Sequence, residues 1–207
     1  MAILKFYLFS FIFTFAVFQS GKTQNYSKLI TAFQKSYLQE AAGKLDKSII
    51  PLKEIYDENS YEINLRLGWL TYQLGQFTPS MAYYRKAVSL KPYAVEAKFG
   101  LIYPASAAGN WNEVIQQYDK ILEICPNNTT AMHRLGLIYY GREEYEKAYP
   151  FFQKVVNLYP FDYDGLIMFG WTNLKLYKIR EAKVLFEEAL MHTPGGSSAL
   201  EGLQNLK

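Results

Sequence analysis

The chain has 207 residues, enough for one or two domains with a full apolar core. Half of its residues are hydrophobic and 17% are aromatic, a composition too apolar for an intrinsically disordered protein. The formal net charge is only +3 and the charged residues are interspersed, so the basic block typical of nucleic-acid-binding proteins is missing and no nucleic-acid partner is predicted.

An apolar run stands near the start of the chain. Residues 6–18 follow Lys5 and contain no charged side chain. They are shorter than the about 20 residues that a membrane-spanning helix needs, but they suit the apolar core of a secretory signal peptide. We therefore predict a signal peptide at residues 1–22 and export, with the bacterial periplasm as the favoured location. The alternative is an uncleaved segment, with residues 6–18 as a membrane anchor.

Four prolines recur every 34 residues, at positions 92, 126, 160 and 194. A period of this length is typical of helical repeat architectures. With each proline at position 32, the repeats span residues 61–94, 95–128, 129–162 and 163–194. Because proline cannot donate a backbone hydrogen bond and clashes with the preceding turn, each proline should end the second helix of its repeat. In the first repeat, "GQFTP" predicts that this helix starts with Thr78 as N-cap and Pro79 as its first residue.

Other positions of the repeat also hold similar residues in successive copies. Position 8 holds Gly68, Ile102, Gly136 and Gly170, and position 24 holds Tyr84, Tyr118, Phe152 and Phe186. Position 20 holds Ser80, Val114, Ala148 and Ala182. A glycine inside a helix costs roughly 1 kcal/mol against alanine, so its packing should compensate. Small residues at positions 8 and 20 would let two helices approach closely.

These columns resemble the tetratricopeptide repeat, most clearly in "LGLIYYGREEYEKAYPFF" and "FGWTNLKLYKIREAKVLFEEALMHTP". The resemblance implies an all-α, right-handed superhelical solenoid of antiparallel helix pairs. Residues 23–60 are then a degenerate N-terminal helical repeat, in which Leu45 falls on position 17 and Lys35 and Ser36 replace Leu-Gly. Residues 195–207 are a C-terminal closing helix that caps the last apolar face.

The residues available for catalysis are few. His133 and His192 are the only histidines, and no carboxylate is spaced to orient either of them. No metal-ligand spacing, phosphate-binding loop or nucleophile motif is present. Cys125 is the only cysteine, so an intrachain disulfide is excluded, and its place beside Pro126 indicates a semi-buried structural thiol. We therefore predict a non-enzymatic protein without cofactor or metal.

In tetratricopeptide arrays the first helix of each repeat lines a concave groove through positions 2, 5, 9 and 12. The resemblance places acidic residues of position 2, Glu62, Glu96 and Asp164, at the rim. The side chains at positions 5, 9 and 12 are almost all aromatic or aliphatic, and we predict that most of them form a partner-binding groove: Leu65, Trp69, Tyr72, Phe99, Tyr103, His133, Leu137, Tyr140, Ile167, Trp171 and Leu174. The alternative is that the same side chains pack on each other and leave no open groove.

These features predict a protein–protein interaction scaffold in the cell envelope that binds a protein or peptide segment in the groove. Lys and Asn residues that clamp a C-terminal carboxylate in some family members are absent from these positions, so apolar contacts should dominate. The alternative is an accessory subunit of an envelope secretion or assembly machine or enzyme, docking through the convex face or the ends of the array. A membrane contact is expected only through an uncleaved N-terminal segment.

Overall fold

The computed structural model of the protein describes residues 26–206, and all regular elements in that range are α-helices. The predicted signal peptide or anchor at residues 1–22 lies outside the described residues. Between residues 26 and 206, no helix combines the length and the apolar character needed to cross a bilayer.

The described chain forms two compact units, and the division along the chain falls between Gly109 and Asn110. The N-terminal unit consists of α1 (26–41), α2 (Leu45–Ser48), α3 (Ile50–Lys53), α4 (Tyr61–Gln73), α5 (Phe77–Leu90) and α6 (Val95–Ala107). The C-terminal unit consists of α7 (Trp111–Ile124), α8 (Thr129–Gly141), α9 (Tyr145–Leu158), α10 (Tyr163–Lys175), α11 (Ile179–His192) and α12 (Ser197–Gln204). The boundary falls inside the second repeat, between its two helices.

The long helices follow the predicted 34-residue period. The first helix of each repeat begins at Tyr61, Val95, Thr129 or Tyr163 and has 13 residues, and each second helix has 14 residues. Each second helix ends two residues before the repeat proline, as expected for a residue that cannot continue a helix. Three N-cap residues, Ser60, Asn128 and Asp162, accept a hydrogen bond through their side chains from a backbone N–H in the first turn of the helix. The predicted all-α fold built from helix pairs is confirmed.

The turn inside each repeat depends on one residue with left-handed backbone conformation. Position 15 has φ between 58° and 72° in all four repeats, at Gly75, Gly109, Glu143 and Tyr177. This conformation lets the chain reverse direction after the first helix, and glycine adopts it without steric cost. Gly43 has φ 72° two residues before Leu45, so the degenerate N-terminal repeat makes the same turn.

The aromatic ring at position 24 explains the helical glycines. A Cβ atom on Gly136 would lie 2.7 Å from the ring of Phe152, and one on Gly170 would lie 2.7 Å from the ring of Phe186. Both rings are fully buried. The space that glycine leaves open is therefore filled by an aromatic side chain of the same repeat, and the buried ring offsets the low helix propensity of glycine.

The same ring also packs against position 6 of the following repeat. A Cβ atom on Gly100 would lie 2.1 Å from Tyr84, and one on Gly202 would lie 2.4 Å from Phe186. Gly100 thus provides space in α6, where Ile102 occupies position 8. Helix α12 carries Gly202 at the corresponding place, so the predicted closing helix sits where the first helix of another repeat would lie.

The degenerate N-terminal repeat has a broken second helix. Two four-residue helices, α2 and α3, stand where the other repeats have one helix of 14 residues. Pro51 is the second residue of α3 and lacks the N–H that a continuous helix would need at this point. The prediction for the start of α5 was wrong, because α5 begins at Phe77 after the N-cap Gln76, and Thr78 and Pro79 lie within its first turn.

Candidate functional site

The N-terminal unit contains an open groove of about 670 Å³, which we call the N-terminal groove. Helices α1, α4 and α6, the first helices of three successive repeats, supply most of its walls. The groove is lined by aromatic, aliphatic and a few charged residues: Phe33, Tyr37, Tyr61, Glu62, Leu65, Arg66, Trp69, Tyr84, Glu96, Phe99, Gly100 and Tyr103. An open and largely apolar concave surface of this size is suited to binding.

Aromatic side chains form one wall of the N-terminal groove. Trp69 and Tyr103 keep 36% and 52% of their surface exposed, although both are large apolar residues. Tyr72 lies between them, with its ring centroid 6.1 Å from that of Trp69 and 5.7 Å from that of Tyr103. Phe77 supports Tyr72 at 6.0 Å. The exposed rings are therefore held by neighbouring rings before any partner arrives.

Glu40 orients Trp69 from the end of α1. The Trp69 indole Nε1 donates a hydrogen bond of 2.9 Å to one carboxylate oxygen of Glu40, while Arg66 forms an ion pair with the other. Burial alone raises the pKa of Glu40, but the hydrogen bonds from Arg66 and Trp69 and the charge of Arg66 outweigh it, so the pKa is lowered. Glu40 is therefore ionised at neutral pH and holds both donors.

Arg66 is a buried charge in the floor of the groove, with 7% of its side chain exposed. Its guanidinium Nε donates to Ser36 Oγ at 3.3 Å, and its Cζ atom lies 3.9 Å above the ring of Tyr37. With Glu40, these contacts compensate the cost of removing the guanidinium from water. They also tie α4 to α1, which fixes the distance between two walls of the groove.

The opposite side of the groove carries an acidic pair around Tyr61. The Tyr61 hydroxyl donates a hydrogen bond of 3.2 Å to Oε2 of Glu96, and Lys91 forms an ion pair of 2.9 Å with Glu62. The ammonium of Lys91 also lies 4.2 Å from the ring centroid of Tyr61. Burial, followed by the negative charge of Glu96, raises the pKa of Tyr61 to about 12, so Tyr61 remains a neutral donor at physiological pH.

The structure brings together the predicted site residues of the N-terminal unit. Leu65, Trp69, Phe99 and Tyr103 line the N-terminal groove, and Tyr72 stacks beside it. Glu62 and Glu96, predicted at the rim, also line it. These residues come from the same face of α4 and α6, because positions 5, 9 and 12 lie on one side of a helix.

The predicted site residues of the C-terminal unit pack differently. Ile167 is only 7% exposed and belongs to the hydrophobic core, which corrects its prediction as a groove residue. Trp171 packs edge-on against Phe186 at 5.3 Å and donates its indole N–H to Ser198 of α12 at 2.9 Å. Three further predicted residues pack against the same core: Leu137, Tyr140 and Leu174. In this unit, packing accounts for most of the aromatic and aliphatic side chains.

His133 lies in a separate cleft of about 380 Å³, which also contains Arg134, Asp162 and Asp164. Its ring contacts Phe152 edge-on at 5.7 Å, and burial lowers the pKa of His133. Asp162 caps α10 by accepting the N–H of Gly165. In the described part of the chain, no three His, Cys, Asp or Glu side chains are grouped closely enough to hold a metal ion.

Cys125 is exposed at the end of α7, so the prediction of a semi-buried thiol was wrong. It is the C-cap residue, and the chain leaves the helix there toward Pro126. The side chain therefore faces solvent instead of packing between helices.

Sequence reasoning missed the contribution of α1 to the groove. Phe33, Tyr37 and Glu40 occupy positions 5, 9 and 12 of the degenerate N-terminal repeat, when its register is set by Leu45 at position 17. The same columns that selected Trp69 and Tyr72 would have selected them. Their signal is weak because Lys35 and Ser36 replace the Leu-Gly pair of the repeat pattern.

Comparisons with known proteins agree with the helical repeat. Two family models, each described as "Tetratricopeptide repeat", match residues 61–93 and 130–162. The TPR repeat-containing protein YpiA of Bacillus subtilis is 26% identical over 167 residues, which cover 79% of this chain. The aligned region is only 39% of YpiA, so this chain spans about two fifths of that relative.

Solved structures show the same fold. A crystal structure of the MamA protein superposes with a TM-score of 0.69 and 20% identity, covering 80% of this chain and 91% of MamA. YrrB, described as a TPR protein with an unusual peptide-binding site, superposes with a TM-score of 0.59 and 20% identity, covering 72% of this chain and 86% of YrrB. The helix bounds, the family matches and these superpositions agree that the chain contains tetratricopeptide repeats, matched at residues 61–93 and 130–162.

Proposed function

We propose that the protein is a non-catalytic interaction scaffold whose N-terminal groove binds an extended or helical segment of a partner protein. The tetratricopeptide repeat family supports the general role of protein binding. The open aromatic groove between α1, α4 and α6 supports the specific site, because large apolar surfaces that remain in water usually mark interaction sites. Tryptophan and tyrosine are also among the residues that most often anchor protein interfaces.

The groove is suited to binding because its aromatic wall is already ordered. Trp69 is held by Glu40, and Tyr72 is held between Trp69, Tyr103 and Phe77. A partner would therefore lose little free energy in ordering these side chains. The C-terminal unit offers no comparable surface among the predicted residues, since Ile167 and Trp171 are engaged in its packing. The peptide-binding site described for YrrB lends further support to a peptide-like ligand.

The main test is the replacement of Trp69 by alanine. Peptides that bind the full chain are selected from a displayed library of random linear segments, and their dissociation constants are measured by fluorescence polarisation. We expect Trp69→Ala to weaken binding about 30-fold, which corresponds to the roughly 2 kcal/mol typical of an interface anchor. The loss should arise from removed apolar contact area, so raised salt should leave most of the binding intact.

Tyr93→Ala is the control, because Tyr93 belongs to the same unit and is 84% exposed but does not line the N-terminal groove. Circular dichroism must show that both variants remain folded. If Trp69→Ala binds every selected peptide as tightly as the parent does, the groove is not the site. The array end would then be the next surface to test, since Ile30 and Leu38 of α1 are 55% and 69% exposed.

The place of action that we propose is the cell envelope, because residues 6–18 have the composition of a signal-peptide core. Protein isolated from its native host is expected to lack about the first 22 residues, and N-terminal sequencing measures this directly. Recovery of the complete chain in a membrane fraction would favour the anchor instead. Recovery of Met1 in a soluble intracellular fraction would contradict export.

A further inference from the structure

The charges that line the N-terminal groove are not fully balanced. Arg66 is paired with Glu40, and Glu62 is paired with Lys91 at 2.9 Å. Glu96 also lines the groove, but between residues 26 and 206 no basic side chain lies within ion-pairing distance of it. The groove therefore carries one negative charge without a partner.

The position of Glu96 keeps this charge in place. Glu96 is the second residue of α6, so its side chain lies at the end of the helix that carries partial positive charge. Tyr61 donates its hydroxyl to one carboxylate oxygen at 3.2 Å, which orients the group and leaves further acceptor sites free. The raised pKa of Tyr61 keeps that donor protonated.

Apolar side chains lie beside the exposed carboxylate of Glu96. Phe99 lies on the same helix as Glu96, and Leu65 lies one turn beyond Tyr61 on α4; all four residues line the groove. A cation from a bound segment could therefore pair with Glu96 while its neighbouring apolar groups contact Leu65 or Phe99. Because Glu96 is exposed, this pair would be partly solvated and its contribution modest.

We infer that the segment bound in the N-terminal groove carries a lysine or arginine next to its apolar anchor, and that Glu96 is the residue that selects this cation. The inference rests on the proposed function, since it assumes that the groove binds a protein segment. The apolar contacts with Trp69 and Tyr103 supply affinity. Glu96 supplies specificity and sets the direction of the segment, because charged contacts at an interface chiefly fix partner choice and orientation.

The experiment uses the peptides selected on the full chain. In the tightest peptides, each lysine or arginine is replaced by glutamine, and the dissociation constants are measured with wild type, Glu96→Gln and the control Glu58→Gln. We expect one replacement to weaken binding to wild type about three- to fivefold, the range of a partly exposed ion pair. The same replacement should have no effect with Glu96→Gln, and it should keep its effect with Glu58→Gln, because Glu58 is paired with Lys86 and does not line the groove.

Three results are possible, and each decides a different question. Loss of the cation effect in Glu96→Gln alone supports the inference. Peptides whose binding depends on Trp69, but which show no cation effect, keep it in Glu96→Gln or lose it in the control variant as well, overturn the inference and leave the proposed function standing. If no selected peptide depends on Trp69, the groove is not a peptide site, and both proposals fail together.

Discussion

Replacing Gly100 with alanine is expected to lower the free energy of unfolding by about 1–3 kcal/mol, the usual cost of overpacking a core. The added Cβ atom would lie 2.1 Å from Cε1 of Tyr84, which is 3% exposed. The ring cannot simply move away, because its other edge lies against Gly68, where a Cβ atom would be only 2.8 Å distant. Helix α6 or α5 would have to shift.

This expectation runs against helix propensity. Alanine is favoured over glycine inside a helix by roughly 1 kcal/mol, so without the close contact the substitution would stabilise the protein. Gly141→Ala provides the matched control, because Gly141 lies in α8 and a Cβ atom there would meet nothing within 4 Å. We expect Gly141→Ala to leave the melting temperature unchanged or raised. A Gly100→Ala protein that melts no lower than the Gly141→Ala protein would contradict the ring-against-glycine packing.

Replacing Lys98 with alanine is the second change with a large expected effect, a loss of about 3 kcal/mol in the free energy of unfolding. Lys98 is only 2% exposed although it is a lysine. Its ammonium group donates to the backbone carbonyl of Pro92 and, at 3.3 Å, to that of Ala94. The side chain therefore ties the turn between α5 and α6 to the first turns of α6.

Two effects contribute to this loss, and a second variant separates them. Lys98→Ala removes hydrogen bonds from a charged donor, worth about 1.5–3 kcal/mol, and also leaves a cavity. Lys98→Met keeps the volume and should recover the part of the loss that is due to the cavity. Urea unfolding followed by circular dichroism measures both variants against Lys183→Met, whose exposed ion pair with Glu187 should contribute less than about 0.5 kcal/mol. Equal stability of Lys98→Ala and the parent would show that the buried lysine is dispensable.

Most of the fold could be predicted from the sequence because the repeat is a local signal. Pro92 and its three counterparts end helices through their own missing N–H group, whatever surrounds them. The period then places the first residue of each helix, such as Tyr61 or Thr129, without knowledge of tertiary contacts. The exceptions are local as well. Pro51 breaks the second helix of the degenerate repeat, and α5 begins at Phe77, two residues before Pro79, which was predicted as its first residue.

The candidate site was less predictable because exposure depends on what packs over a residue. Trp69 and Trp171 both occupy position 9, so the repeat pattern treats them alike. In the structure, Trp69 faces the N-terminal groove. Trp171 instead packs on Phe186 and donates a hydrogen bond to Ser198 of α12. A column of the repeat identifies the helix face on which a side chain lies, but the neighbouring helix decides whether that face is open.

The amino-acid sequence alone determines the helix pairs, their 34-residue period and the side of each helix that bears the aromatic residues. These features depend on residues that are close together in the chain. Three features appear only when distant segments meet: the Glu40 contact with Trp69, the burial of Lys98, and the lack of an ion-pair partner for Glu96 among residues 26–206. Each joins groups whose burial and pairing are set by helices far apart in the chain. Hydrogen bonds and charges respond to distances of a few ångströms, which only the packed structure defines.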